Sequence, residues 1–298
     1  MRTLVRLEID NTDTARCSDL RPHSEMATSA PRVLVLGGHG KVSLLLQPML
    51  LAKSWHVTSL VRNPEHEAEI LALGKDKPGK IDVLVDSLED VQEPAQAQRV
   101  LDKVNPDIVV WSAGAGGKGG PSRTRAVDMI AAKAYISASL ATPSISKFLM
   151  VSYIASRRGY APWWTDEDRK AADHVNHNVL PHYYQAKVEA DEHLEALAKK
   201  RWDSGDRKFQ AINLRPGTLT DAPGTRRVTL GKTPARGSVP REDVAAVAAA
   251  LLARDDTRGW FDLIEGEVPI EEAIDQLVKS GFDGLAGEDL ERIHARST

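Results

Sequence analysis

Cysteine is nearly absent: the chain has one, Cys17, in a polar stretch near its start. A single thiol forms no internal disulfide, which excludes a disulfide-stapled scaffold and fits a reducing, cytoplasmic setting. Charge of one sign is missing too. The 39 basic residues are balanced by 42 acidic ones, for a net charge of -3, and aromatics make up only 5%. The basic faces and stacking platforms that hold nucleic acid are therefore not supplied, and no nucleic-acid partner is expected. Long hydrophobic runs are also missing, since the most apolar stretch, "SLLLQPMLLA", is broken by Gln47 and Pro48. It falls short of the roughly 20 residues that span a membrane, and no membrane partner is expected.

What is present is enough apolar material, 42% of 298 residues, for one large α/β domain or a core domain with a smaller lobe. Residues 1–30 are polar, carry Asp10, Asp13, Asp19 and Glu25, and read as a flexible N-terminal extension. Met26 opens "MATSAPRVLVLGG", itself an ordinary start before a first strand. From residue 31 on, short β-rich runs alternate with helical stretches, the habit of βαβ units. The strands are "RVLVL", "HVTSLV", "IDVLV", "DIVVW", "KFLMVS" and "FQAINL". The helices are the stretch after the first strand, "HEAEILAL", "PAQAQRVLDKV", "RAVDMIAAKAYISAS" and "YYQAKVEADEHLEALAKK". Together they predict an α/β fold, a doubly wound parallel sheet with helices on both faces, whose ligands bind at the carboxyl ends of the strands. Residues 31–298 form the nucleotide-binding body, and about 217–298 a small C-terminal region with "REDVAAVAAALLA", "WFDLI" and "PIEEAIDQLVKS". One conflict stands out: Pro48 lies where the first helix continues, so that helix is kinked or ends earlier.

The first strand runs into Gly37, Gly38, His39, Gly40, Lys41, Val42 and Ser43, a G-x-x-G-x-x-S pattern. After a buried strand and before a helix, such a turn binds phosphate: the first glycine permits the turn, and Gly40 lets the backbone approach a pyrophosphate held by helix N-terminal amides. A bland loop is the alternative. The second strand ends at Arg62, where an NAD-selecting acid would accept from the ribose 2′-hydroxyl. An arginine instead offers a fork of donors to a 2′-phosphate, which favours NADP(H), with Lys41 as a second positive charge. The competing reading of Arg62 is a solvated charge at a strand end. Asp86, Ser87 and Leu88 follow the third strand and are either placed to meet the adenine or form an ordinary loop.

The turn, "VRNP", "WSAGAGG", the YxxxK in "YYQAK", "LRPGTLTD" and "REDVA" together resemble the atypical short-chain dehydrogenase/reductases, in particular their NAD(P)-binding epimerase/dehydratase-like subgroup. The likeness runs from about residue 32 to 275 and implies a Rossmann-type fold with Ala113, Gly114, Pro216 and Gly217 near the dinucleotide. It also implies a catalytic group: Ser152 binding the substrate carbonyl or hydroxyl, Tyr183 as proton donor or acceptor, and Lys187 holding the nicotinamide ribose and favouring the tyrosinate. The usual Asn is replaced by Asp128, as in the subgroup. On physical grounds, Tyr183 and Lys187 four residues apart share a helix face beside the apolar stripe of Ala186, Ala190, Leu194 and Leu197. Lowering a tyrosine from pKa about 10 to about 7 takes roughly 4 kcal/mol, which an ammonium and a nicotinamide charge supply. Tyr184 competes for the role.

Between Ser152 and Tyr183, Trp163 and Trp164 either line a substrate pocket or anchor the loop. His174, His177 and His182 read as polar surface, and no metal is expected. The sequence thus points to an NADP(H)-dependent oxidoreductase or epimerase/dehydratase acting on a small-molecule carbonyl or hydroxyl substrate by hydride transfer. The rival is a non-catalytic NADP(H)-binding redox sensor.

Overall fold

The computed structural model describes residues 30–116 and 119–297, so the N-terminal extension and Cys17 lie outside the described residues. In chain order the first half contains β1 (Arg32–Leu36), α1 (Lys41–Ala52), β2 (His56–Val61), α2 (Glu67–Ala72), β3 (Lys80–Val85), α3 (Pro94–Val104) and β4 (Ile108–Trp111). A composite helix follows, with α4 (Gly120–Thr124) running through a π segment, Arg125–Ala131, into α5 (Ala132–Ala141). Then come β5 (Lys147–Val151), α6 (Asp166–His174), a second π segment (Val175–Val179), α7 (Pro181–Asp203) and β6 (Gln210–Pro216). The C-terminal part adds β7 (Thr218–Thr220), β8 (Arg227–Leu230), β9 (Ser238–Pro240), α8 (Arg241–Leu252), β10 (Gly259–Glu265), β11 (Val268–Pro269), α9 (Ile270–Lys279) and α10 (Leu290–His294).

Among the described residues nine strands form one sheet in the order β11-β8-β10-β6-β5-β4-β1-β2-β3. From β3 to β10 every neighbouring pair is parallel, and only β8 runs antiparallel. The order reverses between β1 and β4, the switch point at which a doubly wound sheet opens a crevice. All six strands read from the sequence are present. "WFDLI" becomes β10, pairing with β6, so residues 217–298 contribute to the same sheet.

Period-two alternation explains why these strands read as unbroken apolar runs. Along β1, Val33 and Val35 face the core built with α1 and α8, while Leu34 and Leu36 face the one built with α3, α5 and α7. Both faces are covered. Pro48 sits inside α1 without ending it: the helix continues to Ala52, its Leu46, Gln47, Leu50 and Leu51 buried against the sheet. Burial of that face outweighs the hydrogen bond the proline removes.

The segment 166–174, within the long connection between Ser152 and Tyr183, is α6. Its signal is local: Thr165 accepts from the Asp168 N–H, and the Asp168 carboxylate accepts from the Thr165 N–H. That reciprocal pair is a capping box, with Asp in place of the usual Glu. Trp163 and Trp164 both donate their indole N–H to the Thr233 carbonyl, at 3.0 and 3.1 Å, so they anchor the loop.

Candidate active site and cofactor cleft

The glycine turn crosses the ends of β1, β2 and β4 almost in contact with them. Gly37 has φ +85°, and a Cβ there would lie 2.6 Å from the Ala113 Cα. A Cβ on Gly38 would meet the Ser59 Oγ at 1.8 Å. No other residue type fits either position. Ser43, where a third glycine is usual, is fully buried under the turn. The turn delivers Gly40 as the N-cap of α1, so the first amides of that helix open onto a cleft of about 340 Å³. A helix N-terminus beside a space no side chain fills is suited to a pyrophosphate, and the residues present fit a dinucleotide.

Of the predicted cofactor residues, Gly37, Gly38, His39, Gly40, Arg62, Asp86, Leu88, Ala113 and Gly114 line this cleft. Lys41, Val42 and Ser87 do not. Lys41 begins α1 on its solvent side, and its Nζ pairs with Asp221 at 2.7 Å, so the second charge expected in the turn is directed elsewhere. Val42 is buried in the core under α1, and Ser87 faces a neighbouring hollow next to Asp90 and Arg99. Pro216 and Gly217 end β6, where the Pro216 carbonyl accepts from Ile154 and the Gly217 N–H donates to Leu263. A larger groove of about 660 Å³, at the β8 edge beside α9, is lined by Trp163 but contains none of the predicted cofactor or catalytic residues.

Two features of the cleft were not foreseen. The His39 ring stacks on His66 with centroids 3.4 Å apart, and its Nε2 lies 2.8 Å from Glu69. Glu89, in the turn after β3, pairs through one oxygen with both Arg62 and Arg123. Partial burial pushes the Glu89 carboxyl up, but hydrogen bonds from Arg123 and Arg62 outweigh it and hold the group below its usual range.

The predicted catalytic residues converge beyond β4 and β5. Lys187, on α7, is 1% exposed and donates to the Val151 carbonyl at 2.9 Å. Asp128 lies on the π segment, whose wider turn is a frequent device at functional sites. Its Oδ2 accepts from the Ala115 N–H at 2.9 Å, while its buried Oδ1 has no hydrogen-bond partner and lies close to Gly114 on the cleft wall. Burial raises the Asp128 carboxyl, opposed by Lys187 and the Ala115 N–H. Asp191, four residues beyond Lys187 on the same helix face, is fully buried, and its Oδ2 accepts from both Ser152 and Ser156 at 2.6 Å. Burial raises this carboxyl as well, with Lys187, Arg215 and the two serines acting against it.

Burial pushes the Tyr183 phenol well above its ordinary value, and Asp128 and then Asp191 push it further. The tyrosinate is thus disfavoured in the chain by itself, by burial first and by the two carboxylates second. Tyr183 stacks at a tilt on Tyr153, centroids 5.2 Å apart, while Tyr184 donates its hydroxyl to the Arg157 carbonyl and meets the His177 ring edge-on.

A buried ion-pair chain supports the loop opposite. Arg215 is fully buried, its Nε 2.9 Å from Asp262 and its guanidinium 4.3 Å from the centre of the Trp260 ring. Arg157 pairs with Glu288 at 3.2 Å, and Glu288 also accepts from the Arg158 and Gly159 amides.

Comparison with known proteins agrees with this geometry. The NAD(P)H-binding family model matches residues 37–255. The UPF0659 protein C216.03 of Schizosaccharomyces pombe is 33% identical over 253 residues, spanning 83% of this chain and 95% of that protein. The uncharacterised sugar epimerase YhfK of Bacillus subtilis is 32% identical over 250 residues, 83% of this chain and 100% of that protein. A Bacillus halodurans protein assigned to the NAD-dependent epimerase/dehydratases superposes with a TM-score of 0.65 at 28% identity, covering 83% of this chain and 100% of that one. With a glycine turn, a switch-point cleft and matches over most of its length, this chain belongs to the NAD(P)H-binding family, as an atypical short-chain dehydrogenase/reductase-like protein.

Proposed function

We propose that this chain is an NADP(H)-dependent oxidoreductase or epimerase/dehydratase acting on a small carbonyl or hydroxyl compound by hydride transfer. The observation that carries this reading is the cleft at the glycine turn, with Asp128 against its Gly114 wall and Lys187 of α7, four residues beyond Tyr183, donating to the Val151 carbonyl next to Ser152. The bound nicotinamide supplies or accepts the hydride. Tyr183, kept neutral by burial and two carboxylates, gives its proton to a carbonyl oxygen in the reducing direction and takes it back in the oxidising one. Ser152 donates to Asp191 and so offers lone pairs to a substrate hydroxyl. Lys187 uses one proton on Val151 and has two more for ribose hydroxyls. Asp128 takes the place of the usual Asn beside Lys187.

The preference for NADP(H) rests on Arg62, which lines the cleft just after β2, where an acid would select NAD(H). Residues 31–298 act as one nucleotide-binding body, with about 217–298 on the substrate side. The Bacillus subtilis relative is described as a sugar epimerase, and a sugar hydroxyl falls within the substrate class proposed here. A second reading, an NADP(H)-binding redox sensor without turnover, is favoured by the commitment of Ser152 to Asp191 and of Lys187 to Val151.

Titration with NADPH and NADH, followed by quenching of the six tryptophans, tests the reading. Tight NADPH with much weaker NADH is the expected result. Equal affinities remove the NADP preference and leave the cleft, whereas binding of neither removes the proposal.

A further inference from the structure

Three segments of the fold meet at one carboxylate oxygen inside the cleft. Arg62 comes from the end of β2, Arg123 from α4 and Glu89 from the turn after β3; the Arg123 Nε lies 2.9 Å from Glu89 Oε1, and the Arg62 guanidinium pairs with the same atom. All three side chains line the space that also holds His39, Asn63 and His66. None is fully buried: side-chain exposure is 57% for Arg62, 23% for Arg123 and 35% for Glu89. A ligand entering the cleft therefore reaches this cluster without opening the core.

Carboxylate and phosphate are rival acceptors for a guanidinium fork. A dinucleotide with a 2′-phosphate brings an anion to the place where Glu89 already occupies both arginines. It must displace that carboxylate or sit beside it, and like charge opposes the second arrangement. A dinucleotide with a 2′-hydroxyl meets no such opposition, and Glu89 is an acceptor for that hydroxyl. The acid missing at the end of β2 is in effect supplied from the end of β3, one strand over.

We propose that Glu89 is a specificity-determining residue of the cleft, competing with the ligand's 2′-phosphate for Arg62 and Arg123 and so setting the ratio of NADPH to NADH affinity. This rests on the dinucleotide reading of the cleft but not on which cofactor the wild-type chain prefers.

The test is isothermal titration of wild type, Glu89→Gln, Arg62→Ala and the Arg62→Ala/Glu89→Gln double variant with NADPH and NADH. A parallel series uses adenosine 2′,5′-bisphosphate, which carries the contested phosphate, and AMP, which lacks it, both without nicotinamide. Glu89→Gln keeps the size of the side chain and removes its charge. It should tighten NADPH and the bisphosphate by roughly 3- to 10-fold while changing NADH and AMP by less than about 2-fold, the scale of a partly exposed ion pair. In the double variant most of that gain should vanish. An unchanged NADPH to NADH ratio in Glu89→Gln overturns the inference, as does an equal gain for both ligands. If wild type prefers NADH and Glu89→Gln shifts it toward NADPH, the inference stands and the NADP(H) assignment falls. If no variant binds either dinucleotide, both fall.

Discussion

Ser152 and Asp191 are joined by a hydrogen bond of 2.6 Å, and Ser156 makes a second of the same length to the same oxygen. The proposed substrate-binding hydroxyl is thus held from behind by a buried acid, one helical turn below Lys187. Burial raises this carboxyl above the ordinary aspartate value of 3.8, and Lys187 and Arg215 only partly offset the rise. The folded chain therefore holds the Asp191 proton to higher pH than the unfolded chain does. Stability from the neutral form is complete below about pH 4 and is lost as pH climbs through the folded value. Asp191→Asn, which resembles the protonated acid, should gain stability relative to wild type between pH 4 and pH 8 in urea unfolding. A difference between the two proteins that stays constant over that range would contradict the assignment. Asp128 and Asp262 are raised by burial too, so the comparison, not the wild-type curve alone, isolates Asp191.

His193 on α7 carries the opposite dependence. Burial, then Lys133 and Arg296, lower its pKa from 6.5 to about 4, and its Nε2 lies 2.7 Å from the Ser137 hydroxyl. A depressed folded value means stability that is present above pH 6.5 and lost as pH falls toward 4. The full loss is about 3 kcal/mol at 1.36 kcal/mol per pKa unit. The stability difference between wild type and His193→Gln should shift by most of that amount between pH 7 and pH 4 in urea unfolding. If the variant keeps the wild-type slope, another group is responsible.

The contact between the glycine turn and β2 gives a prediction with its own rescue. Gly38→Ala places a Cβ 1.8 Å from the Ser59 Oγ and 3.1 Å from the Ser59 Cβ. Because the Ser59 hydroxyl is buried without a hydrogen-bond partner, Ser59→Ala by itself should cost little. Gly38→Ala should weaken NADPH binding at least about 10-fold through displacement of the turn. Ser59→Gly in the same chain should restore most of it, and Ser59→Ala only part. Equal rescue by both would mean that the Ser59 Cβ is not part of the conflict.

How much of this was legible beforehand follows from which signals are local. A strand covered on both faces leaves a continuous apolar run, so β1 to β6 could be read from residue order. The glycine turn was equally plain, and Gly37, Gly38 and Gly40 stand where the pattern put them. What failed depends on distant partners or on the path of the backbone. Glu89 meets Arg62 only because β2 and β3 are neighbours in the sheet, and their side chains are 27 positions apart in sequence. Lys41 belongs to the phosphate motif by position but leaves on the outer side of α1 toward Asp221. The π segment around Asp128 has no residue signature that separates it from an α-helix. Asp191 was readable in principle, since Tyr183, Lys187 and Asp191 recur at intervals of four on one face. Yet nothing in the order of residues says that Ser152 and Ser156 meet it.

The two adjacent tyrosines separate the catalytic reading from its competitors. Tyr183 is surrounded by burial, Asp128 and Asp191, all of which keep the phenol protonated, and it has no hydrogen-bond partner among the described residues. Tyr184 already donates to the Arg157 carbonyl at 3.2 Å. With any carbonyl or alcohol substrate found by screening with NADPH or NADP⁺, Tyr183→Phe should lower kcat by roughly 10²- to 10⁴-fold, the usual worth of a general acid. Dinucleotide affinity should stay within about 2-fold, since the ring and its stacking on Tyr153 remain. Tyr184→Phe should leave kcat within about 3-fold and cost about 1 kcal/mol of stability for the lost hydrogen bond. A reversal of the two effects would move the proton transfer to Tyr184. Full turnover in both variants would remove the tyrosine from the chemistry and turn attention to Asp128, with its unpartnered oxygen beside Gly114, as a group able to exchange a proton.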